Sequence, residues 1–414
     1  KKIYLIIIII SIFSSTYSQG WNNTITTTIT PSSFQSADNF ANKDGIHVLT
    51  IGNLNDNPTN NVRYNLLNSS GTIVRSYTFE SGGSFPCITG DNNNVYAAYW
   101  KNQTIKTWKS TDAGSTWSDG AIDNITVLDQ YCSSVDVTTD SRGIHIVYAT
   151  RNSTSGPYET YYSKNNGFNI SWTNYKNVTD YVANEVGGFP TVTTSANKVH
   201  VSYNNGVSVG DAKTRDYNIT SESWETPQIV YASLSMGEKI IADGNYLHLF
   251  YYKPSESINN ILHVRIIYHT KRLLNGTTWD TPIGLSGDSS PDNKIELSIT
   301  VDGKLHVIYT SVNLFYRNYN GTSWSSEQII ASSGLLKPYS MCKAGNDLYC
   351  LWKEIGINDF VKYRQYNVAP STPTSLSVNS SGFINLNWPA NPEPDIQYYE
   401  VWRKINTGPF NLLT

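Results

Sequence analysis

One short pattern recurs seven times and decides the fold. Its copies are GIHVLT (45–50), NVYAAYW (94–100), GIHIVY (143–148), KVHVSY (198–203), YLHLFY (246–251), KLHVIY (304–309) and DLYCLW (347–352). Successive copies of the His or Tyr are 43 to 58 residues apart. Polar turns such as DSRG (140–143) and VDGK (301–304) precede the pattern, and another strand-like stretch precedes the turn. Each unit therefore opens with a predicted β-hairpin.

A tyrosine-rich stretch and a tryptophan follow in most units. The stretches ETYYSK (159–164) and VKYRQYN (361–367) are typical of strands, and the tryptophans lie at positions 117, 172, 224, 279 and 324. Four short strands per unit, repeated every 40 to 60 residues or so, are typical of propeller blades. The sequence predicts an all-β fold over residues 19–367, a β-propeller of seven blades with six as the alternative.

The two ends of this region predict how the propeller closes. The seventh unit ends before an outer strand can form, whereas GWNNTITTTIT (20–30) has the shape of GTSWSSEQIIA (321–331) in the sixth unit. We expect the N-terminal strand to pair with residues 360–367, which completes the last blade and removes an open sheet edge.

Composition and the first residues limit the function classes. Only 15% of the 414 residues are charged, the net charge is −3 and no basic run occurs, which argues against nucleic-acid binding. Residues 1–18 resemble a secretory signal peptide, with Lys1 and Lys2 before an apolar run and small residues before Gln19. That run is too short to span a bilayer of about 30 Å. We expect a secreted, monomeric protein without a transmembrane segment.

The segment STDAGSTW (110–117) matches the Asp-box, or BNR repeat, of sialidase-like propellers. Its defining residues are Ser110, Asp112, Gly114, Thr116 and Trp117. Asp112 is expected to accept amide hydrogens of the turn, Gly114 to adopt a positive φ and Trp117 to pack between strands. Degenerate copies lie at 163–172, 275–279 and 320–324. The resemblance implies a structural turn remote from any active site.

The sequence pattern changes after residue 367, where the propeller repeat ends. INLNWPANPEPDIQYYEVWRK (384–404) resembles the opening strands of a fibronectin type III domain, with Trp388 as its core tryptophan and Tyr399 on the next strand. Residues 368–414 correspond to about half of such a β-sandwich, so we expect the module to continue beyond residue 414. The combination of a signal peptide, an Asp-box propeller and such a fibronectin module resembles secreted proteins of Bacteroidetes-like bacteria, which carry a C-terminal sorting domain.

The histidines divide into two groups. Five lie at one repeat position (47, 145, 200, 248 and 306), which indicates a structural role with rings packed between blades and bonded to neighbouring backbone. His263 and His269 fall outside that register, as does Arg265 between them. These three are candidate functional residues, with an exposed strand position as the alternative.

Five charged residues lie on predicted innermost strands, which line the central channel of a propeller: Asp38, Asp136, Glu238, Lys239 and Glu296. Charge there is costly unless it is paired or used. The alternatives are a ligand site and a water-filled channel with cross-channel ion pairs. A small ligand or Ca²⁺, if either binds, is expected at the channel mouth. The spacing of His and Cys predicts no metal site, and no cofactor is expected.

A sialidase mechanism needs three arginines on the substrate carboxylate, a Tyr–Glu nucleophile and an Asp as acid and base. Arg63, Arg317 and Arg364 instead lie beside a tyrosine in the predicted third strands, and Arg142 lies in a hairpin turn. We therefore expect an extracellular binding or adhesion protein that recognises a glycan or cell-surface polymer. An exo-acting glycoside hydrolase of sialidase type and a purely architectural scaffold are the alternatives.

Overall fold

The computed structural model describes residues 6–13, 20–29, 31–54, 57–91, 93–119, 125–126, 131–151, 157–165, 176–179, 187–205, 210–254, 265–286, 295–299, 304–310, 313–332, 335–345, 347–355, 360–367, 377–380, 384–389, 398–405 and 409–413. Every regular element in these ranges is a β-strand. Over the same ranges, no helix is long and apolar enough to cross a membrane.

Seven antiparallel blades follow one another along the chain, as the repeat predicts. The innermost strands are Pro31–Asn42, Ser84–Gly90, Tyr131–Asp140, Gly188–Thr194, the second part of Gln228–Ala242, Ile295–Ile299 and Leu335–Ala344. The second strands carry the repeated pattern: Gly45–Leu54, Val95–Lys101, Gly143–Arg151, Lys198–Asn205, Tyr246–Pro254, Leu305–Thr310 and Asp347–Ile355.

The third and fourth strands complete the blades. The third strands are Asn57–Leu67, Thr104–Ser110, Glu159–Asn165, Gly210–Asn218, Arg265–Leu273, Leu314–Tyr319 and Phe360–Asn367. The outer strands of blades 1 to 6 are Ile73–Ser81, Ser118–Asp119 with Ile125–Thr126, Lys176–Asn177, Ser223–Trp224 with the first part of Gln228–Ala242, Ile283–Gly284 and Gln328–Ala331. Blades 4 and 5 thus share one long strand.

The seventh blade is closed by the N-terminal segment, which confirms the predicted closure. Gly20–Trp21 and Ile25–Thr26 pair with Phe360–Asn367. The Trp21 ring packs edge-on against Tyr316 of blade 6, with ring centroids 5.1 Å apart, and Arg364 donates to the carbonyl oxygens of Trp21 and Asn22. The seven blades exclude the six-bladed alternative.

Apolar residues of neighbouring blades form the core. One cluster joins Leu49 and Tyr64 of blade 1 to Ile88, Ala97 and Trp117 of blade 2. The aromatic residues in repeat register therefore fill the spaces between blades, which explains a chain with 29 tyrosines and 11 tryptophans.

The five repeated histidines are buried, but their partners differ from the expected backbone groups. Each Nδ1 contacts a side chain on the third strand of its own blade: Tyr64, Tyr162, Asp216, His269 and Tyr316, at 2.7 to 2.9 Å. Side chains satisfy these ring nitrogens because the adjacent backbone groups are already used in the β-ladders. Burial lowers the pKa of His47 to about 3, so this ring is neutral at physiological pH.

The Asp-box forms a tight turn at the end of the third strand of blade 2. Asp112 accepts hydrogen bonds from the Thr116 amide and hydroxyl at 2.8 and 2.7 Å and from the Ser110 hydroxyl at 2.8 Å. Gly114 has a φ of +79°, and a Cβ there would lie 2.2 Å from the ring of Tyr64. Trp117 is buried against Tyr64, with ring centroids 4.9 Å apart. The turn therefore fastens blade 2 to blade 1.

After the propeller, the structure describes two small sheets and no separate sandwich. Ser377–Ser380 pairs with Ile384–Asn387, and Tyr398–Ile405 pairs with Phe410–Leu413. The rings of Trp388 and Tyr399 are 5.6 Å apart. In the uncleaved chain Ile6–Phe13, within the predicted signal peptide, pairs with Tyr398–Ile405.

Candidate functional site

A cavity of about 420 Å³ lies at the centre of the propeller. Each blade contributes one residue at the same level of its innermost strand: Asp38, Cys87, Asp136, Thr191, Lys239, Glu296 and Ser340. We call these seven residues the channel ring. Each is paired across the ladder with the residue two positions after the repeated His or Tyr. The ring is therefore the product of one repeat position that varies between blades.

Four of the five charged residues expected at the channel line this cavity, namely Asp38, Asp136, Lys239 and Glu296. The prediction that Glu238 lines the channel is wrong. Side chains alternate along a strand, and a register shift between Met236 and Lys239 presents Lys239 to the channel instead. Glu238 is buried between blades 4 and 5, where it accepts hydrogen bonds from Asn204 and Ser235.

Several ring residues also hold the blades together. Asp38 accepts the amide of Ile88 at 2.9 Å, Asp136 that of Val192 at 2.8 Å, and Thr191 that of Ile240 at 3.2 Å. Each of these amides belongs to the innermost strand of the next blade and lies on a sheet edge. These side chains satisfy edge groups that no strand covers.

Electrostatics in the ring centre on Lys239. Its Nζ lies 3.7 Å from Oε2 of Glu296. Burial alone would lower the pKa of Lys239, yet the carboxylates of Glu296, Asp136 and Asp38 raise it above its usual value. Burial raises the pKa of Asp136 against the opposing effects of Lys239 and the Val192 amide. Three carboxyl groups and one ammonium group thus share a small, partly buried volume.

Exposed aromatic rings lie at the end of the cavity where the innermost strands begin. Phe85 and Phe189 stand two residues before the ring residues Cys87 and Thr191, and they are 36% and 39% exposed. Phe85 is part of the cavity wall. Their φ values are +54° and +50°. A bulky side chain rarely adopts a positive φ, and both residues also precede proline, which normally favours extended backbone.

Blade 3, between them, presents a further aromatic group at this end. Tyr131 is 37% exposed and opposes Arg151 on the neighbouring strand. The Arg151 guanidinium lies 5.7 Å from the centroid of the Tyr131 ring and 4.5 Å from that of Tyr158. We call Phe85, Tyr131 and Phe189 the aromatic mouth.

Arginines do not converge on the cavity, since none of its described lining residues is an arginine. Arg215 donates to the carbonyl oxygen of Glu225, directly after an outer strand, and Arg364 to that of Ile330 in an outer strand. Arg75 donates to carbonyl oxygens of the Asp-box. Arg272 is buried and binds both oxygens of Asp216, at 2.8 and 2.7 Å. These described contacts are structural.

Of the three candidates outside the repeat register, His269 is the one whose side chain the structure describes. His269 is neither exposed nor at the channel. It is buried, 2.9 Å from the Nδ1 of His248 and stacked on that ring, where blades 1, 3 and 6 carry a tyrosine and blade 4 an aspartate. Arg265 begins a strand, but its side chain lies outside the described set, as does His263 altogether.

Sequence reasoning missed the uncharged ring residues and the aromatic mouth. The ring could have been found by counting back from each repeated His or Tyr, with an allowance for turns of different length. The mouth also has a sequence signal, because Gly-x-Phe-Pro occurs at 83–86 and again at 187–190, at equivalent places in two blades. In the described part of the chain, no group of three or more His, Cys, Asp or Glu residues could hold a metal ion.

Comparisons with known proteins give the fold and not the function. No family model matches the sequence, and no curated protein matches it. Among solved structures, hydrazine synthase of Kuenenia stuttgartiensis has a TM-score of 0.54 at 10% identity, over 82% of this chain and 96% of that chain.

Two further propellers are similar. The Cps50 (Swd1) β-propeller domain of Myceliophteria thermophila has a TM-score of 0.50 at 8% identity, over 84% of this chain and 100% of that domain. The α-L-arabinofuranosidase Arb93A of Fusarium graminearum, in complex with an iminosugar inhibitor, has a TM-score of 0.50 at 9% identity, over 84% and 98%. Such diverse proteins share only the propeller architecture.

Proposed function

We propose that this protein is an extracellular glycan-binding propeller whose central cavity receives an uncharged sugar. The observation that carries the proposal is the channel ring, which places carboxylates, hydroxyls and an ammonium group around one cavity of about 420 Å³. Sugar hydroxyls donate and accept hydrogen bonds, so a ring with both donors and acceptors can hold several of them at once. The cavity is large enough for a monosaccharide unit.

The charge of the ring favours an uncharged or amino sugar over an acidic one. With the carboxyl groups ionised, three negative charges face one positive charge in Lys239. A sialic acid carboxylate would meet these carboxylates, and no arginine of the kind that usually binds such a group lies among the described lining residues. The acidic sugar typical of sialidase substrates is therefore disfavoured here.

A glycan array tests the proposal. The purified chain is applied to an array of neutral, amino and acidic glycans, and a fluorogenic sialoside assay is run beside it. We expect binding to neutral or amino sugars and no sialoside hydrolysis. An array without bound glycans would refute the proposal and favour an architectural scaffold.

Glycoside hydrolysis is the second candidate, because Asp136 and Glu296 face the same cavity in different environments. Burial raises the pKa of Asp136, which is the property required of a general acid, while Glu296 is paired with Lys239. Release of p-nitrophenol from neutral p-nitrophenyl glycosides would favour this activity over binding alone.

We also propose that the protein is exported and that residues 368–414 belong to a fibronectin-like module. Cleavage after residue 18 would free Ile6–Phe13 from its pairing and release the propeller outside the cell. The contact between Trp388 and Tyr399 supports a fibronectin-like module in residues 368–414. The mass of the mature chain secreted from an expressing cell, read by mass spectrometry, tests the cleavage.

A further inference from the structure

The two phenylalanines of the aromatic mouth occupy one repeat position on different blades. Phe85 belongs to blade 2 and Phe189 to blade 4, and each residue is more than one-third exposed. The prolines that follow them, Pro86 and Pro190, are buried. At both positions an exposed phenylalanine thus stands next to a buried proline.

The backbone at both positions is held in an unfavourable conformation. Each phenylalanine has a positive φ and lies at a register shift of the innermost strand. The chain is closely packed just before this register shift in blade 2, since a Cβ on Gly83 would lie 2.3 Å from a methyl group of Val62. Strained residues that persist at the rim of a cavity are characteristic of ligand contacts, and bulges there re-aim side chains.

The surroundings identify the kind of ligand. A phenyl ring offers an apolar face without hydrogen-bonding groups, whereas the adjacent ring residues Asp38 and Asp136 offer acceptors. A pyranose matches both, because its C–H face packs on aromatic rings and its hydroxyls bind carboxylates. Phe85 lines the cavity and Phe189 does not. One sugar unit in the cavity can thus contact Phe85, while a unit further along the chain reaches Phe189.

We propose that Phe85 and Phe189 form a stacking platform for an oligosaccharide, with one end of the sugar chain in the central cavity and the rest lying across blades 2 to 4. This inference rests on the proposed function and specifies its ligand as a neutral chain of several pyranose units.

Chain-length dependence tests the platform. Calorimetry measures the binding of cello-, xylo- and manno-oligosaccharides of one to six units to the full chain. In the wild type, affinity rises with length by about two- to tenfold, the size of one stacking contact. Phe189→Leu keeps an apolar side chain without a flat ring, and it abolishes the rise while leaving the affinity for the shortest bound sugar unchanged. Phe85→Leu weakens all lengths.

Control variants distinguish the loss of ring stacking from the loss of the folded structure. Phe410→Ala removes an equally exposed phenylalanine outside the propeller and leaves binding unchanged. Phe189→Tyr keeps the flat ring and retains the length dependence. Melting temperatures of all variants establish that they are folded.

The possible outcomes are distinct. A wild-type affinity that does not rise with length, or a rise that survives in folded Phe189→Leu, overturns the platform but leaves sugar binding in the cavity intact. No binding of any saccharide to the wild type overturns the proposed function, and the platform with it.

Discussion

Phe85 combines several features that each oppose folding. Its positive φ and its position before Pro86 put the backbone in a region that costs on the order of 1–3 kcal/mol, and this apolar residue remains more than one-third exposed to water. Phe189 repeats the arrangement. Two equivalent penalties at one end of a cavity agree with the proposed ligand contact.

The positive φ at position 85 predicts that a glycine variant is more stable than an alanine variant, which is the reverse of the usual order. At an ordinary φ, glycine is less stable than alanine by about 0.5–1 kcal/mol. At φ +54° alanine retains the steric conflict, so Phe85→Gly should unfold with a free energy about 1 kcal/mol above that of Phe85→Ala. Urea unfolding of both variants measures the difference. A less stable glycine variant would show that the position is not strained.

Glu238 predicts a pH effect of defined sign. Burial raises the pKa of Glu238, which its hydrogen bonds to Ser235 and Asn204 only partly oppose. The folded state then keeps a proton that the unfolded state loses above about pH 4.5, and stability falls as pH rises.

Glu238→Gln imitates the protonated acid and should raise the unfolding free energy at pH 7, with little effect at pH 4. Urea titrations at both pH values measure the gain. Glu225→Gln, on a partly exposed ion pair with Lys198, serves as the comparison. An equal gain at both pH values would contradict the assignment.

At the level of single residues, only part of the candidate site could be predicted from the sequence. Charged residues on innermost strands identified Asp38, Asp136, Lys239 and Glu296, because charge stands out in an apolar repeat. Thr191, Ser340 and Cys87 could not be recognised by charge. Glu238 was misplaced because neighbouring residues on a strand face opposite sides, and a register shift decides which one faces the channel.

Within the blades, one turn geometry persists although its sequence degenerates. Asp112 caps the turn of the perfect Asp-box, whereas Asn320 accepts the amides of Thr322 and Ser323 at 3.0 and 2.9 Å in the degenerate copy of blade 6. Asn218 does the same for blade 4. The side-chain acceptor is the feature that the turn requires.

Blades 4 and 5 are joined by a buried ion pair. Arg272 binds both oxygens of Asp216, and His200 contacts the same carboxyl group at 2.9 Å. Burial opposes ionisation of Asp216, but His200 and Arg272 outweigh it and lower the pKa to about 2. The ionised pair is therefore intact at neutral pH.

Asp216→Asn leaves the buried Arg272 charge unpaired and should lower the unfolding free energy by about 3–5 kcal/mol at pH 7. Asp44→Asn, at an exposed pair with Lys43, should change it by less than about 1 kcal/mol. Since the pKa of Asp216 is depressed, its contribution is lost as pH falls from about 4 to about 2. Urea unfolding across this range measures it, and equal effects of the two variants would refute the assignment.

Removal of the N-terminal segment that closes the seventh blade should lower stability more than these substitutions do. Deletion of residues 19–30 removes the pairing of Gly20–Trp21 and Ile25–Thr26 with the last blade and exposes the edge of Phe360–Asn367. We expect a severe loss of thermal stability, partly restored when a peptide of residues 19–30 is added in excess. Calorimetry of the deleted chain with and without peptide measures both effects, and an unchanged melting temperature would contradict the closure.

At the scale of the whole molecule, the repeat made the fold predictable. Seven copies of one hairpin pattern specify seven blades, and a missing outer strand at one end matched a spare strand at the other. The central cavity could not be described from the sequence, because it is formed by one residue from each of seven distant segments.

That arrangement also explains why the proposed site lies where the blades depart from the repeat. Five repeated histidines and most aromatic residues hold the blades, whereas the ring position differs in nearly every blade and includes acids, a base, hydroxyls and a thiol. A repeat supplies the scaffold, and its variation supplies an asymmetric site.

The most direct test is the binding of the strongest neutral glycan from the array to ring variants, measured by calorimetry. Glu296→Gln and Asp136→Asn keep size and a hydrogen-bond acceptor, while Asp112→Asn alters a carboxylate of the Asp-box away from the cavity. We predict that the two ring variants bind at least tenfold more weakly and that Asp112→Asn binds like the wild type. Unchanged affinity in both folded ring variants would contradict a glycan site in the central cavity.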